Sequence, residues 1–148
     1  MGFYSFTLEN FVMPCADMVA GSSVTKCYSS LKNTEWFDRA SLDALRRKRL
    51  RHLIRYSYRN VPFYNRQFKE QNLYPDDIKD FNDLKKLPII DKQIIKDNFT
   101  SFISRKFDIK KVIKRSTGGS TGIPLKYHLS WEAYSYHRAL TYRAWSYG

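Results

Sequence analysis

Ser116-Thr117-Gly118-Gly119-Ser120-Thr121-Gly122-Ile123-Pro124 places three glycines and four hydroxyl residues in nine consecutive positions. The segment follows the apolar-basic run Lys111-Val112-Ile113-Lys114-Arg115. It precedes Leu125-Lys126-Tyr127-His128-Leu129, which alternates apolar with polar residues as a half-buried strand does. The reading is strand, glycine bend, strand. Glycine lets the backbone take up positive φ and come close to a ligand, so successive N–H groups can converge on an anion. The Ser and Thr hydroxyls add donors that carry no charge. A bend of this composition suits phosphate, and its plainer alternative is a Gly/Ser-rich turn joining two strands.

Two familiar phosphate motifs do not fit. A Walker A loop requires Gly-x-x-x-x-Gly-Lys followed by Ser or Thr and then a helix, whereas Ile123-Pro124 and a strand-like run follow here. A dinucleotide fingerprint would need glycine where Thr117 stands, and again a helix afterwards. Phosphates in this bend would be held by backbone and hydroxyl groups alone.

Outward from the bend, Ser130 is placed to cap a helix from Trp131 to about Tyr147, with Glu132 against the positive end of its dipole. The aromatic residues of that helix point in nearly every direction, the pattern of a buried helix. Upstream, Ser41 is a suitable N-cap for a helix reaching about Arg59. Leu42, Leu45, Leu50, Leu53 and Tyr56 share its apolar side, and Arg47, Lys48, Arg51, Arg55 and Arg59 the opposite one. Arg46 and Arg49 fall nearer the apolar stripe, where they must snorkel or pair with carboxylates. Pro62 ends that helix, because the residue before proline avoids helical geometry. Shorter helices are expected over 63–71, 81–86 and 91–99, and β structure from about Lys111. The fold class is thus mixed α/β. Residues 1–110 are mainly helical, 111–129 form strand–loop–strand, and 130–148 a helix, all within one partial N-terminal domain.

Composition narrows the function classes. With 43% hydrophobic and 16% aromatic residues, and few Gly or Pro, the chain is expected to fold rather than stay disordered. Cys15 and Cys27 lie 12 positions apart without a Cys-x-x-Cys pair, so neither a zinc site nor a disulfide framework is indicated, and reduced thiols in a cytoplasm are expected. The run from Phe3 to Ala20 is interrupted by Glu9, Pro14 and Asp17 and lacks a preceding basic residue, which fits neither a signal peptide nor a membrane span. It is free to lie on a surface or pack on a partner. His52, His128 and His137 show no metal-ligand spacing and are assigned structural or surface roles, as Trp36 and Tyr64 are assigned to packing.

The net charge of +12 supports a rival reading, a non-enzymatic module in which the arginine stripe tracks nucleic acid or lies on an anionic surface. A basic run at helical spacing is more often a solvated face, and no nucleic-acid reader motif is present. Nor does that reading account for the glycine bend.

Thr117 to Pro124 resembles the phosphate-binding signature of adenylate-forming enzymes, commonly Thr/Ser-Ser-Gly-Ser/Thr-Thr-Gly-x-Pro. Asn60-Val61-Pro62-Phe63-Tyr64 and Leu87-Pro88-Ile89-Ile90-Asp91-Lys92 are spaced as in the phenylacetate–CoA ligase branch. Met13-Pro14, Gly21 and Glu35-Trp36-Phe37 are similar to that branch's relatives in capsular polysaccharide gene clusters. Two departures stand out: Gly118 replaces the usual Ser, and Leu125 stands where many of these enzymes carry Lys. Lys126 is one position on and, in a strand, on the opposite face.

The resemblance implies the N-terminal part of the large domain of an ATP-dependent, AMP-forming ligase that activates a carboxylic acid and passes the acyl group to a thiol or other acceptor, CoA among the candidates. By that resemblance Thr117, Ser120 and Thr121 donate hydroxyl hydrogen bonds to the β and γ phosphates. Gly118, Gly119 and Gly122 supply shape and N–H groups, and Pro124 stiffens the exit. Mg²⁺ is implied with ATP, but the acidic residue that helps hold it has no counterpart in this chain. The ribose-binding Asp and the Lys of the small domain have none either. The 148-residue chain is therefore expected to be a front fragment, catalytically silent alone and a candidate to associate with a missing C-terminal part. Its catalytic residues, acyl substrate and acceptor are not legible.

Overall fold

The computed structural model describes residues 6–118 and 124–146. The chain divides into two compact units, Met1–Phe37 with Leu129–Gly148, and Asp38–His128. The expected mixed class is observed, with helices throughout and a single pair of strands among the described residues.

In the first unit a π-helical turn, Leu8–Val12, runs into helix α1 (Met13–Ala20). Pro14 sits in the first turn of α1, where its missing N–H costs nothing. Gly21 ends α1 at φ 60°, a left-handed conformation that a side chain would resist. Helix α2 (Val24–Lys32) then begins without a side-chain cap from its own Ser23. Asp17 of α1 takes that role. Its carboxylate accepts from the Val24 amide at 3.0 Å, from the Thr25 amide at 2.7 Å and from the Ser22 hydroxyl. The polar residue that breaks the apolar pattern of the N-terminal run is thus the clasp between two helices.

The chain's last helix, α6 (Trp131–Trp145 in the present numbering of helices), packs against α2. Ser130 caps it as expected, accepting from the Ala133 amide at 3.0 Å. The contact is made by its small residues: Ser135 and Ala139, four apart and so on one face, are both fully buried. The Ser135 hydroxyl donates to Trp131 O at 2.8 Å and accepts from the Ser23 amide at 3.2 Å, so the buried oxygen is satisfied. Met13, Val24, Tyr28, Leu31 and Ala139 form the core of this unit.

The second unit is organised by helix α3 (Arg39–Asn60) and helix α4 (Pro62–Glu70). Val61 is at once the end of one and the cap position of the other, with Pro62 in the first turn of α4. Phe63 is buried, stacks on Phe102 at 4.0 Å and holds the corner, while Tyr64 meets Phe102 edge-on at 5.7 Å. Burial raises the Tyr64 phenol above its ordinary pKa, as a packing role requires. Helix α4 closes with Asn72 at φ 52°, with Leu73 N donating back to Phe68 O at 2.8 Å. Leu50, Ile54, Phe68 and Ile78 form the core, with Leu84 and Leu87 packed against it. Helix α5 (Lys92–Asp97) is capped by Asp91, which accepts from the Ile94 amide at 2.8 Å, and a 3-10 turn, Phe99–Phe102, follows.

Three expectations are corrected. The cap of α3 is Asp38, whose carboxylate accepts from the Ser41 amide at 2.9 Å, so Ser41 is three residues inside the helix. Apolar periodicity does not register a polar first turn. The buried side of α3 centres on Leu50 and Ile54, leaving Leu53 59% exposed, because Phe68 and Ile78 meet the helix along that edge rather than along the leucine stripe. Trp36 is 89% exposed and anchors nothing within its unit. The arginines near the stripe behave as expected where the partner is visible, since Arg46 pairs with Asp43 at 3.1 Å and lies over the Phe81 ring.

Asp17 yields a prediction. Burial is the largest single influence on its carboxyl and opposes ionisation, yet the Ser22 hydroxyl and the Thr25 and Val24 amides together outweigh it, so its pKa lies below the ordinary 3.8. A carboxyl whose folded value is depressed stabilises fully above the unfolded value and loses that contribution as pH falls through the folded one. Asp17→Ala is expected to cost about 1–2 kcal/mol in chemical denaturation at neutral pH. The difference between variant and parent should shrink below about pH 4, where the clasp is protonated in the unfolded and then the folded chain.

Candidate phosphate-holding site

Strands β1 (Ile113–Ser116) and β2 (Lys126–Leu129) form the antiparallel pair on either side of the glycine bend. Their ends are tied by Thr117 and Leu125. The Thr117 amide donates to Leu125 O at 3.0 Å, and the Leu125 amide donates to the Thr117 hydroxyl oxygen at 3.0 Å. The Thr117 oxygen is therefore an acceptor toward the protein, and its own proton stays available to a ligand. Gly118 is exposed, and a Cβ built on it would meet nothing within 4 Å. Pro124 is exposed at the far side of the bend. Gly119, Ser120, Thr121 and Gly122 lie outside the described residues.

Side chains alternate along each strand, and the Thr117–Leu125 pairing sets the register. Ser116 then stands opposite Lys126, and Lys114 opposite His128, all four on one face. These four residues line a cleft of about 570 Å³ together with Arg115, Tyr127 and Phe99. A smaller cavity of about 270 Å³ lies between Lys96, Phe99, Pro124, Leu125 and Lys126. Among the described residues no carboxylate lines either space. Lys96, Lys114, Arg115 and Lys126 have no acidic partner among the described residues. The His128 ring stands edge-on to Phe99 at 5.2 Å, and its Nδ1 is buried without a hydrogen-bond partner among the described residues.

Of the residues that sequence reading placed at the site, Thr117 and Pro124 thus mark the two ends of the bend, with Gly118 just inside it. Lys114, Lys96 and Phe99 were not singled out. The period-2 alternation of two paired strands would have put Lys114 and Lys126 on one face, but only once the register was known. Among the described residues no three His, Cys, Asp or Glu side chains gather as a metal site. Nor, among the described residues, is any helix long and apolar enough to cross a membrane.

Known proteins include relatives of this chain. The chain is 34% identical over 84 residues to phenylacetate-coenzyme A ligase of Escherichia coli strain K12, a match covering 56% of this chain and 19% of the ligase. The corresponding enzyme of Pseudomonas putida is 35% identical over 88 residues, covering 57% and 20%. That of Aromatoleum evansii is 35% identical over 95 residues, covering 61% and 21%. The chain is a distant relative of these ligases. It spans about a fifth of the length of the curated relatives it matches. No family model matches it.

Gly118 separates the demands of folding from those of binding. With open space around it and no positive φ, Gly118→Ala is expected to change unfolding free energy by no more than about 0.5 kcal/mol in a denaturant titration. A larger loss would mean that the glycine serves the fold rather than a ligand.

Proposed function

We propose that this chain carries the polyphosphate-holding part of an ATP-dependent, AMP-forming ligase that activates a carboxylic acid, as phenylacetate–CoA ligase does. The observation that carries the reading is the tied base of the bend. Thr117 and Leu125 satisfy each other at the base of the bend, beside lysines that have no acidic partner among the described residues, and an anion is favoured there. The distant relationship to the ligases supports the triphosphate of ATP as that anion.

In the reaction so proposed, a carboxylate oxygen attacks the α-phosphorus, the bond to the β-phosphate oxygen breaks, and pyrophosphate leaves with the bonding electrons. A thiol then attacks the acyl carbonyl and AMP departs. The bend contributes by holding the leaving pyrophosphate. The Thr117, Ser120 and Thr121 hydroxyls and the N–H groups of Gly118, Gly119 and Gly122 donate to oxygens whose charge grows as the bond breaks. Pro124 limits the conformations of the exit, so less ordering is needed on binding. The acyl pocket and the remaining catalytic groups belong to the larger part of such a ligase, and the 148 residues alone are proposed to bind nucleotide without turning it over. A cytoplasmic location and use of CoA belong to the same proposal.

Calorimetric titration of the full chain with ATP tests the reading. Saturable binding is expected, weakened roughly tenfold by Thr117→Val and restored toward the parent by Thr117→Ser, since one donated hydrogen bond to a charged oxygen is at stake. ATP–pyrophosphate exchange with phenylacetate and other carboxylic acids should stay at background. Absence of ATP binding would contradict the proposal, and robust exchange would contradict the silence of the isolated chain.

A further inference from the structure

The bend itself, residues 116–124, contains no Lys or Arg, so a polyphosphate held there would keep most of its negative charge uncompensated. The adjoining strand face has the opposite imbalance. Lys114 and Lys126 project from neighbouring strands on one side of the ladder, Lys96 stands beside the Pro124 exit, and among the described residues no carboxylate lines the cleft or the smaller cavity. Like charges gathered in this way raise each other's energy unless an anion joins them. Among the described residues no ion pair neutralises these lysines, whereas Arg46 takes Asp43, Arg55 takes Asp76 and Lys86 takes Asp83. A second observation is independent of charge. His128, on the same face, has its Nδ1 buried with no partner among the described residues, so a small rotation of the ring that brings it to the cleft loses no hydrogen bond.

We propose that the cleft formed by Lys114, Ser116, Lys126 and His128 is a subsite for linear polyphosphate, in which the two lysines supply the positive charge that the glycine bend lacks. Its ligand is either free pyrophosphate or the triphosphate tail of a nucleotide. Its place beside the bend rests on the ligase reading, but its own affinity for phosphate does not. A cleft of about 570 Å³ accommodates such a chain of phosphates, and Ser116 adds a neutral donor between the lysines. Lys114 and Lys126 are exposed at the surface, so replacing them does not threaten the core.

Titration of the full chain with inorganic pyrophosphate, tripolyphosphate, ATP and AMP at fixed ionic strength provides the test. Lys114→Ala and Lys126→Ala are each expected to weaken tripolyphosphate roughly tenfold, as for loss of a charge-assisted hydrogen bond, with Arg in either position restoring part of the affinity. The control Lys48→Ala with Arg51→Ala, on the exposed side of α3, removes twice the charge of either variant and should still change it by less than about twofold. AMP should bind far more weakly than ATP and be little affected. Pyrophosphate should also move the side-chain nitrogen resonances of His128, which a diffuse ion cloud would leave in place.

The proposal is overturned if tripolyphosphate does not bind, or if the control weakens it as much as the lysine variants do, because net charge alone would then explain the affinity. Failure of this inference and failure of the ligase reading are distinguishable. If Gly118→Val abolishes ATP binding while the lysine variants leave tripolyphosphate untouched, the cleft falls and the bend stands. If the lysine variants abolish tripolyphosphate binding while Thr117→Val and Gly118→Val leave ATP binding unchanged, the cleft stands and the bend falls.

Discussion

Thr117 and Leu125 exchange two hydrogen bonds of 3.0 Å, one through backbone and one through the Thr117 hydroxyl, and the proposed phosphate site depends on that exchange. A two-stranded pair of four residues each is short, and such a pair is marginal unless its turn end is fixed. By accepting from Leu125, the threonine oxygen closes the ladder one pair beyond the strands that carry it. The same tie fixes the register, and the register decides which side chains share a face. A slip of one residue would send Lys126 and His128 to the opposite side from Lys114 and disperse the cationic cleft.

Much of this was legible from residue type and spacing, and the reasons for the remainder are physical. Ser130 acts as a cap because a short acceptor side chain directly before an amphipathic run has few other uses. The corner at Asn60–Tyr64 follows from Pro62, whose ring prevents one helix from continuing and suits the start of the next. By contrast, Asp38 escaped notice because the residue it caps lies three positions on, among others of similar polarity. The buried edge of α3 could not be fixed by its leucines, since Leu50 and Ile54 are chosen by partners far along the chain, Phe68 and Ile78. Helix α6 gave a misleading signal of another kind. Its many aromatic rings draw attention, yet the contact that seats it on α2 belongs to Ser135 and Ala139, the residues with least to bury.

The site shows the same division. Glycine and hydroxyl content pointed to the bend, because few other compositions allow backbone amides to face an anion. The cleft beside it was hidden. Lys114, Lys126 and His128 each look like an ordinary residue in an exposed strand, and only the pairing of two segments makes them neighbours. Asp17 is a related case in the first unit. As one of two acids in an apolar run it reads as an interruption, whereas in the fold its carboxylate gathers the Val24 and Thr25 amides and the Ser22 hydroxyl.

The distant relationship to phenylacetate-coenzyme A ligases and the hydrogen-bonded base of the bend both support the proposal that residues 117–124 grip a nucleotide's triphosphate. The most direct measurement is a crystal structure of the chain with a non-hydrolysable ATP analogue. The claim requires the β and γ phosphates within hydrogen-bonding distance of the Thr117 hydroxyl and of the amides between Gly118 and Gly122. A bend whose amides are all engaged by other protein groups, with the analogue bound elsewhere or not at all, would contradict it.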